Sequence, residues 1–303
     1  MKTPYKALYF SLIFLILSCN KERKVLVFQS DFGVKDGAVA AMKGVSVGVS
    51  NNLQIYDLTH EIAAFNISEA AYRLEQSARY WPSGTVFVSI VDPGVGSERK
   101  SIVMKTKTGH YFVTPDNGTL TLIAQSMGVD EVREIDEATN RLKGSGESYT
   151  FHGRDVYAYT GARLASGTIT FEQVGHLLDG DIVRLPDLNA EVKDNEIIGN
   201  IPVLDPQYGN VWTNIDKTLL EKINVQVGDT ILVSISANDE KRYEQKLLFA
   251  NTFSAVPVGS ELAYMNSLLK LSFAINQGNF ASAHNVSPGL QVSVTRFSTS
   301  PQD

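Results

Sequence analysis

The sequence predicts an α/β fold, in which an N-terminal α/β domain with a mostly parallel sheet precedes a smaller all-β domain. Over residues 24–188, short apolar runs that end at turns alternate with segments of helical periodicity. Over residues 189–303, strand-like runs follow one another with few helical segments between them. These two patterns also define the predicted domains, with residues 185–189 as the linker.

The N-terminal half carries the clearest element signals. Strands are predicted at 24–28, 55–58, 85–91, 101–105 and 111–114, and helices at 36–50, 68–80, 120–127 and 155–166. Ser68 is the expected N-cap of the second helix. Polar residues follow strands at Asp31, Asp92 and Asn117. Open α/β sheets bind ligands at the carboxyl ends of their strands, so this edge is the expected site.

In the C-terminal half, the expected strands include residues 196–203, 230–235 and 290–295. No internal repeat or low-complexity tract interrupts this region, and the predicted domain is a small all-β unit.

The composition excludes several classes of protein. The chain has 303 residues, a net charge of −6, one cysteine and five histidines. Its acidic and basic residues are interspersed, which argues against a nucleic-acid groove with a basic stripe. A single cysteine rules out an intrachain disulfide and a zinc site built on thiolates. No two histidines have the spacing of a metal-binding pair on one helix face.

The N-terminus has the pattern of a bacterial lipoprotein signal. Lys2 and Lys6 precede an apolar run at 7–17, which ends at Ser18 and Cys19. The run is too short to span a bilayer comfortably. We therefore expect a signal peptide over residues 1–19 and a lipidated Cys19, with the protein anchored in the cell envelope, on the periplasmic side or the cell surface. The alternative is an uncleaved anchor followed by a free thiol.

The tripeptide Asp31-Phe32-Gly33 does not indicate a kinase. A kinase requires a glycine-rich loop, a strand lysine and a catalytic loop upstream of that tripeptide, and here it lies a few residues from the expected mature N-terminus. Asp31 either caps the following helix or grips a ribose diol, as acidic residues after strands do in nucleotide-binding folds.

Two further motifs allow both a structural and a functional interpretation. Residues 92–96 form a glycine-rich turn after the strongest strand, with Arg99 as an ion-pair partner or a site residue. His152 stands before a glycine at a predicted helix start, as a structural hydrogen-bonding residue or a general base. We expect Arg154 and Asp155 to form an ion pair and cap rather than to act in catalysis.

Short clusters of polar residues also occur in the C-terminal region. Residues 205–214 are either a β-turn with a core Trp212 or a binding loop. Residues 266–267 and 276–279, taken alone, indicate turns.

Taken together in their order along the chain, these short motifs form a specific set. They are Ser-Asp-Phe-Gly (30–33), Asp-Leu-Thr-His (57–60), Val-Asp-Pro-Gly-Val-Gly (91–96) with Arg99, Pro-Asp-Asn-Gly (115–118), Phe-His-Gly-Arg-Asp (151–155), Gly-Asn-Val-Trp-Thr-Asn (209–214) and Asn-x-Gly-Asn (276–279). The set resembles the S-adenosylmethionine hydroxide adenosyltransferase family, relatives of the fluorinases and chlorinases. The resemblance runs from about Lys24 to the C-terminus.

The resemblance implies a C-terminal domain that is barrel-like and a homotrimer whose active sites lie between the first domain of one subunit and the second domain of its neighbour. It places a water-activating triad on Asp92, Arg99 and His152, and a ribose-binding carboxylate on Asp31. The remaining matches concern the rest of the substrate, with the methionine end at Asp205, Asn210, Trp212 and Ser267 and the adenine side at Phe253 and Asn276.

The halogenases of this group differ at diagnostic positions. They carry tyrosines at the positions of Asp92 and His152, a serine at that of Gly153, and lack the arginine; this chain has the full hydrolase set. Departures from the family pattern lie near the C-terminus. Leu268 stands where the halogenases have arginine, Leu269 where the family usually has glycine, and Ser272 where it usually has glutamate.

The expected activity is therefore hydrolysis of S-adenosyl-L-methionine to adenosine and L-methionine. S-adenosyl-L-methionine is the substrate, no cofactor or metal is expected, and membrane contact is expected through the lipid anchor only. Two alternatives remain: a lipoprotein that binds an adenosyl ligand without catalysis, and an S-adenosylmethionine-dependent halogenase.

Overall fold

A computed structural model describes residues 24–186, 189–238 and 240–297. The predicted signal peptide and lipidated Cys19 therefore lie outside the described residues, as do Asp187 and Leu188 beside the predicted domain boundary. No helix within the described ranges is long and apolar enough to cross a membrane.

The N-terminal region is built on a six-stranded mixed sheet with the order β2-β1-β3-β5-β4-β6. The strands β2, β1, β3 and β5 run parallel, and β4 is antiparallel to both of its neighbours. The predicted α/β class is confirmed, and the last strand is an addition to the prediction. The strands are β1 (Val25–Ser30), β2 (Gln54–Thr59), β3 (Val86–Ile90), β4 (Ser101–Thr106), β5 (Tyr111–Pro115) and β6 (Val129–Glu134).

Strands β1 and β3 are buried on both faces, which is why their sequences are largely apolar runs rather than alternating ones. Leu26 and Phe28 pack into one core, and Val25 and Val27 pack into the other, because successive side chains of a strand point to opposite faces. The helices are α1 (Ala38–Val49), α2 (Ile67–Ala78), α3 (Thr121–Met127), α4 (Glu137–Asn140) and α5 (Tyr159–Ser166). Residues of α1 and α5 join the first core, and residues of α2 and α3 join the second.

The expected N-cap of α2 was wrong by two residues. Asn66 caps the helix, since its Oδ1 accepts a hydrogen bond of 3.0 Å from the backbone N of Glu69. The Glu69 side chain accepts in turn from the backbone N of Ala63 at 3.1 Å. Ser68 lies inside the helix. Both residues are acceptable caps, and only the backbone path from Ala63 selects Asn66.

The helix predicted at 155–166 begins as a π-helical turn at Gly153–Ala158, which runs directly into α5. Single π-turns of this kind often occur at functional sites. The predicted ion pair between Arg154 and Asp155 is present, with Nε and Oδ1 2.7 Å apart.

The C-terminal region consists of two antiparallel sheets, with the orders β13-β14-β10-β9 and β12-β11-β15-β8-β7. No strand pairing closes either sheet into a barrel within the described ranges. Two short helices, α6 (Lys217–Lys222) and α7 (Phe280–His284), accompany these strands: β7 (Glu191–Lys193), β8 (Glu196–Asn200), β9 (Val203–Leu204), β10 (Val211–Asp216), β11 (Thr230–Ala237), β12 (Glu240–Leu248), β13 (Glu261–Met265), β14 (Lys270–Ile275) and β15 (Gln291–Arg296).

The strand expected at 196–203 divides between the two C-terminal sheets. Its first part is β8, which pairs with β15, and its last residue begins β9, which pairs with β10. Pro202 lies at the break, and its nitrogen cannot donate to a ladder. The apolar pattern continues through the break because Ile201 and Val203 are both buried in the core.

A small aromatic cluster joins the two regions. Tyr72 of α2 stacks on Trp212 of β10 at 6.0 Å between ring centroids, and Leu268 packs beside them. Arg73 donates a hydrogen bond of 3.1 Å to the backbone oxygen of Leu204. The N-terminal helix layer therefore packs directly against the four-stranded C-terminal sheet.

Candidate active site

A cavity of about 720 Å³ opens at the carboxyl ends of β1 and β3. Three predicted site residues, Asp31, Asp92 and His152, are among those that line it. This is the edge of the sheet where the polar residues after the strands predicted a site. The remaining lining residues are mostly apolar and include Phe32, Ala38, Ala41, Phe65, Ile90, Val95 and Phe151.

Asp92 and Arg99 form a nearly buried, bidentate ion pair. The Nε of Arg99 donates to Oδ1 of Asp92 at 2.7 Å, and its Nη2 donates to Oδ2. The two side chains are 6% and 12% exposed. Arg99 also donates to Ser101 Oγ at 3.1 Å and lies over the ring of Tyr157. These contacts fix the orientation of the Asp92 carboxylate at the cavity wall.

His152 lies between two guanidinium groups. Its Nδ1 is 3.4 Å from Nη2 of Arg99, and its Nε2 is 2.9 Å from Nη2 of Arg141. Burial lowers the pKa of His152; Glu137 opposes this, Arg141 and Arg99 lower the pKa further, and Asp92 raises it again. The imidazole is therefore neutral near pH 7.

Gly153 packs closely against the apolar floor of the cavity. A Cβ atom at this position would lie 3.1 Å from the ring of Phe32. Phe32 in turn packs edge-on against Phe151, with 5.8 Å between centroids. A side chain at this position would press on the Phe32 ring, and the packed rings of Phe32 and Phe151 make this part of the cavity apolar.

Asp31 does not cap the next helix. Its Oδ2 accepts a hydrogen bond of 2.9 Å from the backbone N of Phe65, and α1 begins after Gly37. The capping interpretation of Asp31 is therefore wrong, and the carboxylate lines the cavity beside Phe65.

Two of the sequence motifs meet behind Asp31. Ser30 Oγ lies 2.7 Å from Nδ1 of His60, and the backbone N of Gly33 donates to the His60 oxygen at 2.7 Å. Nε2 of His60 lies 3.1 Å from Oδ1 of Asp57. The Asp-Leu-Thr-His segment thus supports the loop that presents Asp31.

A second cavity, of about 710 Å³, lies in the C-terminal region. Among the residues that line it are Asn210, Phe253 and Asn276, which the resemblance assigns to substrate binding. Asn276 is held by a hydrogen bond of 2.8 Å from its Nδ2 to the Val256 oxygen. The other lining residues are Gln207, Tyr208, Ile275, Gln277, Gly278 and Asn279.

The structure places three of the predicted binding residues outside the lining of both cavities. Asp205 accepts from the backbone N of Gln207 and, at 3.3 Å, from Nδ2 of Asn210, so it shapes the loop around Asn210. Trp212 donates from Nε1 to the Tyr264 hydroxyl at 3.3 Å and packs between the two regions. Ser267 is exposed in the turn between β13 and β14.

The departures from the family pattern have different local consequences. Leu268 is buried in the cluster with Tyr72 and Trp212. Leu269 has a backbone φ of 58° and a largely exposed side chain, in a left-handed conformation that favours the family's usual glycine. Ser272 is fully buried, and its Oγ donates to the Lys270 oxygen at 3.3 Å.

Several residues near the predicted triad were not predicted to take part. Arg141 contacts His152 directly, and Phe65 holds Asp31 through its backbone while contributing its ring to the cavity. Neither lies in a recognisable motif, so local sequence offered no signal for them. Asn279 belongs to a quoted motif, and its position in the second cavity could have been inferred from that motif.

No group of three or more histidine, cysteine, aspartate or glutamate side chains is arranged to hold a metal ion in the part of the chain that the structure describes. The site residues are instead arranged as an ion pair and a histidine between arginines, beside an apolar floor.

Comparisons with known proteins identify the family. The N-terminal domain model of the SAM hydroxide adenosyltransferases matches residues 26–175, and the C-terminal domain model matches residues 199–293. An (R)-S-adenosyl-L-methionine hydrolase of Methanocaldococcus jannaschii is 38% identical over 215 residues, which cover 70% of this chain and 73% of that protein. A fluorinase of Actinopolyspora mzabensis is 29% identical over 305 residues, which cover 92% of this chain and all of that protein (100%).

A solved structure agrees with these matches. The crystal structure of an uncharacterized conserved protein from Thermotoga maritima superimposes with a TM-score of 0.83 at 35% identity, covering 89% of this chain and 100% of the other. Both domain models together span most of the described residues, and the cavity residues of both regions lie within or beside them. This chain belongs to the SAM hydroxide adenosyltransferase family.

Proposed function

We propose that this protein hydrolyses S-adenosyl-L-methionine to adenosine and L-methionine, by attack of water on the ribose 5′ carbon. One observation carries the proposal: Asp92, Arg99 and His152 meet at the cavity that Asp31 also lines. Relatives named (R)-S-adenosyl-L-methionine hydrolase support it, including one from Salinispora arenicola that is 31% identical over 269 residues.

The chemistry requires orientation more than activation of the leaving group. The substrate sulfonium is positively charged, so methionine departs as a neutral thioether that takes the electron pair of the C–S bond. A water molecule must be held in line behind the 5′ carbon. Such positioning can supply about 7–11 kcal/mol of the barrier.

The residues at the cavity wall suit this task. Asp92 is a carboxylate with lone pairs left over from its pair with Arg99, because an ionised carboxylate can accept about four hydrogen bonds. Arg99 favours negative charge that develops on the water oxygen. Asp31 is the carboxylate for the ribose hydroxyls, fixed by the Phe65 backbone.

We propose that the reaction uses no metal and no cofactor, with S-adenosyl-L-methionine as the substrate. A neutral thioether leaves without the help of a Lewis acid, and the water is activated by the protein's own acceptor groups. Turnover that is unchanged after dialysis against a chelator is the expected result, and loss of turnover that Mg²⁺ or Zn²⁺ restores would contradict it.

We propose a homotrimer in which each substrate lies between two subunits. The first cavity is lined only by residues 31–153, and the second only by residues 207–279. Exposed apolar side chains line both, with Phe65 in the first and Tyr208 and Phe253 in the second. Light scattering should give the trimer mass, and a fully active monomer would contradict this arrangement.

We also propose that the protein is a lipoprotein of the cell envelope, anchored through Cys19, on the periplasmic side or the cell surface. The support is the sequence pattern of residues 1–19. Labelled fatty acid should enter the wild-type protein and be absent from Cys19→Ser. Equal labelling of both proteins, or of neither, would exclude lipidation at this residue.

The decisive experiment incubates the purified domain with S-adenosyl-L-methionine and follows the products by chromatography. Adenosine and methionine should appear in a one-to-one ratio. Unchanged substrate combined with tight calorimetric binding would favour the non-catalytic lipoprotein. Formation of a 5′-halogenated nucleoside in the presence of chloride or fluoride would favour the halogenase.

A further inference from the structure

Arg141 lies behind His152, on the side away from Asp92. It follows α4, whose first turn is capped by Asp136 through a hydrogen bond of 3.0 Å from the Ala138 backbone. The Nη2 of Arg141 is 2.9 Å from Nε2 of His152. This is the shorter of the two guanidinium contacts to the imidazole.

The Arg141 guanidinium is itself held in place. Glu137 Oε2 accepts from its Nη2 at 2.7 Å and from its Nε at 3.2 Å. The ring of Tyr149 lies 4.8 Å from the guanidinium carbon. The side chain is 11% exposed. Its position relative to the histidine is therefore set by an ion pair and a cation–π contact.

These contacts determine which nitrogen of His152 carries the proton. A guanidinium group donates hydrogen bonds and cannot accept them. The 2.9 Å contact therefore requires Nε2 of His152 to be the acceptor. A neutral imidazole with an unprotonated Nε2 carries its proton on Nδ1. Nδ1 is 3.4 Å from Nη2 of Arg99, and because a guanidinium group cannot accept a hydrogen bond, a proton on Nδ1 has no acceptor in either arginine.

The charges around the imidazole favour the neutral form. The groups that face it are Asp92 after β3, Arg99 in the following loop, and Glu137 and Arg141 of the α4 segment. The Tyr149 ring completes the surroundings, at 6.4 Å between centroids. Each carboxylate is paired with its own arginine, so a protonated His152 would meet two guanidinium donors without a free counter-ion.

We propose that Arg141 is a positioning residue that holds His152 as the neutral tautomer with its proton on Nδ1, so that His152 donates a hydrogen bond to the attacking water and Asp92 accepts the water's proton. The inference rests on the proposed function. An O–H bond of water breaks and its proton goes to Asp92, a bond forms between the oxygen and the 5′ carbon, and the C–S electron pair stays on methionine. Asp92 then releases the proton to solvent.

The first experiment reads the tautomer without using activity. Two-bond proton–nitrogen NMR spectra of the protein labelled with 15N-histidine distinguish a protonated Nδ1 from a protonated Nε2. His152→Asn identifies the signals of this residue. The expected result is a neutral ring protonated at Nδ1 near pH 7. A ring protonated at Nε2, or on both nitrogens, would overturn the inference and leave the proposed hydrolysis intact.

The second experiment removes the donor. Arg141→Met should allow both neutral tautomers and lower kcat by about ten- to a hundredfold, with KM within about twofold, because the ring is misplaced rather than the substrate. Its acidic limb in the pH–rate profile should move to higher pH. Arg141→Lys, which keeps a donor, should recover part of kcat and the Nδ1-protonated spectrum.

Arg79→Met is the matched control, because Arg79 pairs with Glu75 at the same spacing as Arg141 with Glu137 but directly follows the end of α2, without a described contact to His152. It should leave kcat and the His152 spectrum unchanged. If Arg141→Met has wild-type kcat and an unchanged histidine spectrum, the positioning role is refuted. If the wild-type protein shows the Nδ1-protonated His152 but produces no adenosine, the proposed hydrolysis is refuted and the proposed tautomer is not.

Discussion

Asp92→Asn is the substitution that tests the proposed chemistry most directly. It keeps the shape of the side chain but replaces one carboxylate oxygen by an amide that donates hydrogen bonds. The Arg99 Nη2 donor, now paired with Oδ2, would face either that amide or a neutral oxygen. The substitution also removes the carboxylate that we propose as the acceptor for the water's proton. Loss of a positioned acid–base group costs about 10²–10⁴ in rate, so kcat should fall by that factor.

The stability cost of this substitution can be bounded from the burial of the pair. Breaking a buried ion pair by removing one partner costs about 3–5 kcal/mol. Arg99 keeps its hydrogen bond to Ser101 and its contact with Tyr157, so the expected cost is about 3 kcal/mol, at the lower end. Urea denaturation measures this loss separately from turnover, and kinetic assays should be run where the variant remains folded.

Two assays separate chemistry from affinity. Chromatography measures adenosine formation, and calorimetry measures substrate binding. Binding should change far less than kcat, because the proposed contact of Asp92 is with the attacking water rather than with the nucleoside. Asp130→Asn is the control, since Asp130 is a half-exposed aspartate paired with Lys105 outside the cavity. The double variant with His152→Asn should be little slower than Asp92→Asn alone, because residues that act as a unit are not additive. A folded Asp92→Asn enzyme with the wild-type kcat would refute the assignment.

Three further outcomes are expected. Asp31→Ala should weaken calorimetric binding of S-adenosyl-L-methionine by about 1.5–3 kcal/mol, and unchanged affinity would remove the ribose role. Because the pKa of His152 is lowered in the folded protein, the unfolded state binds more protons than the folded state at pH values below 6.5, the ordinary histidine pKa. Stability to urea should therefore fall as the pH drops below 6.5. This fall should be smaller in His152→Asn. Leu269→Gly should raise stability by about 0.5–1 kcal/mol, because relief of left-handed strain of about 1–2 kcal/mol exceeds the entropy cost of glycine; a lower melting temperature would contradict this.

The sequence by itself determined the α/β class of the N-terminal region, its first five strands, and the edge of the sheet where the candidate site was expected. The apolar runs of β1 and β3 indicate strands buried on both faces, and their ends are marked by Asp31 and Asp92. Parallel strands bring such ends together whatever the connecting loops do. The ordered motifs also identified the family, which the matches over residues 26–175 and 199–293 confirm.

Only the tertiary structure decided the contacts within the site. Arg99 and His152 are separated by 53 positions, and Arg141 reaches His152 from a segment without a motif. Periodicity describes which face of a strand or helix is buried, and it carries no information about partners that meet through loops. The same limit explains the cap at Asn66, the break at Pro202 and the capping role assigned to Asp31. Each was decided by the backbone path and by hydrogen bonds that form only when the chain is folded.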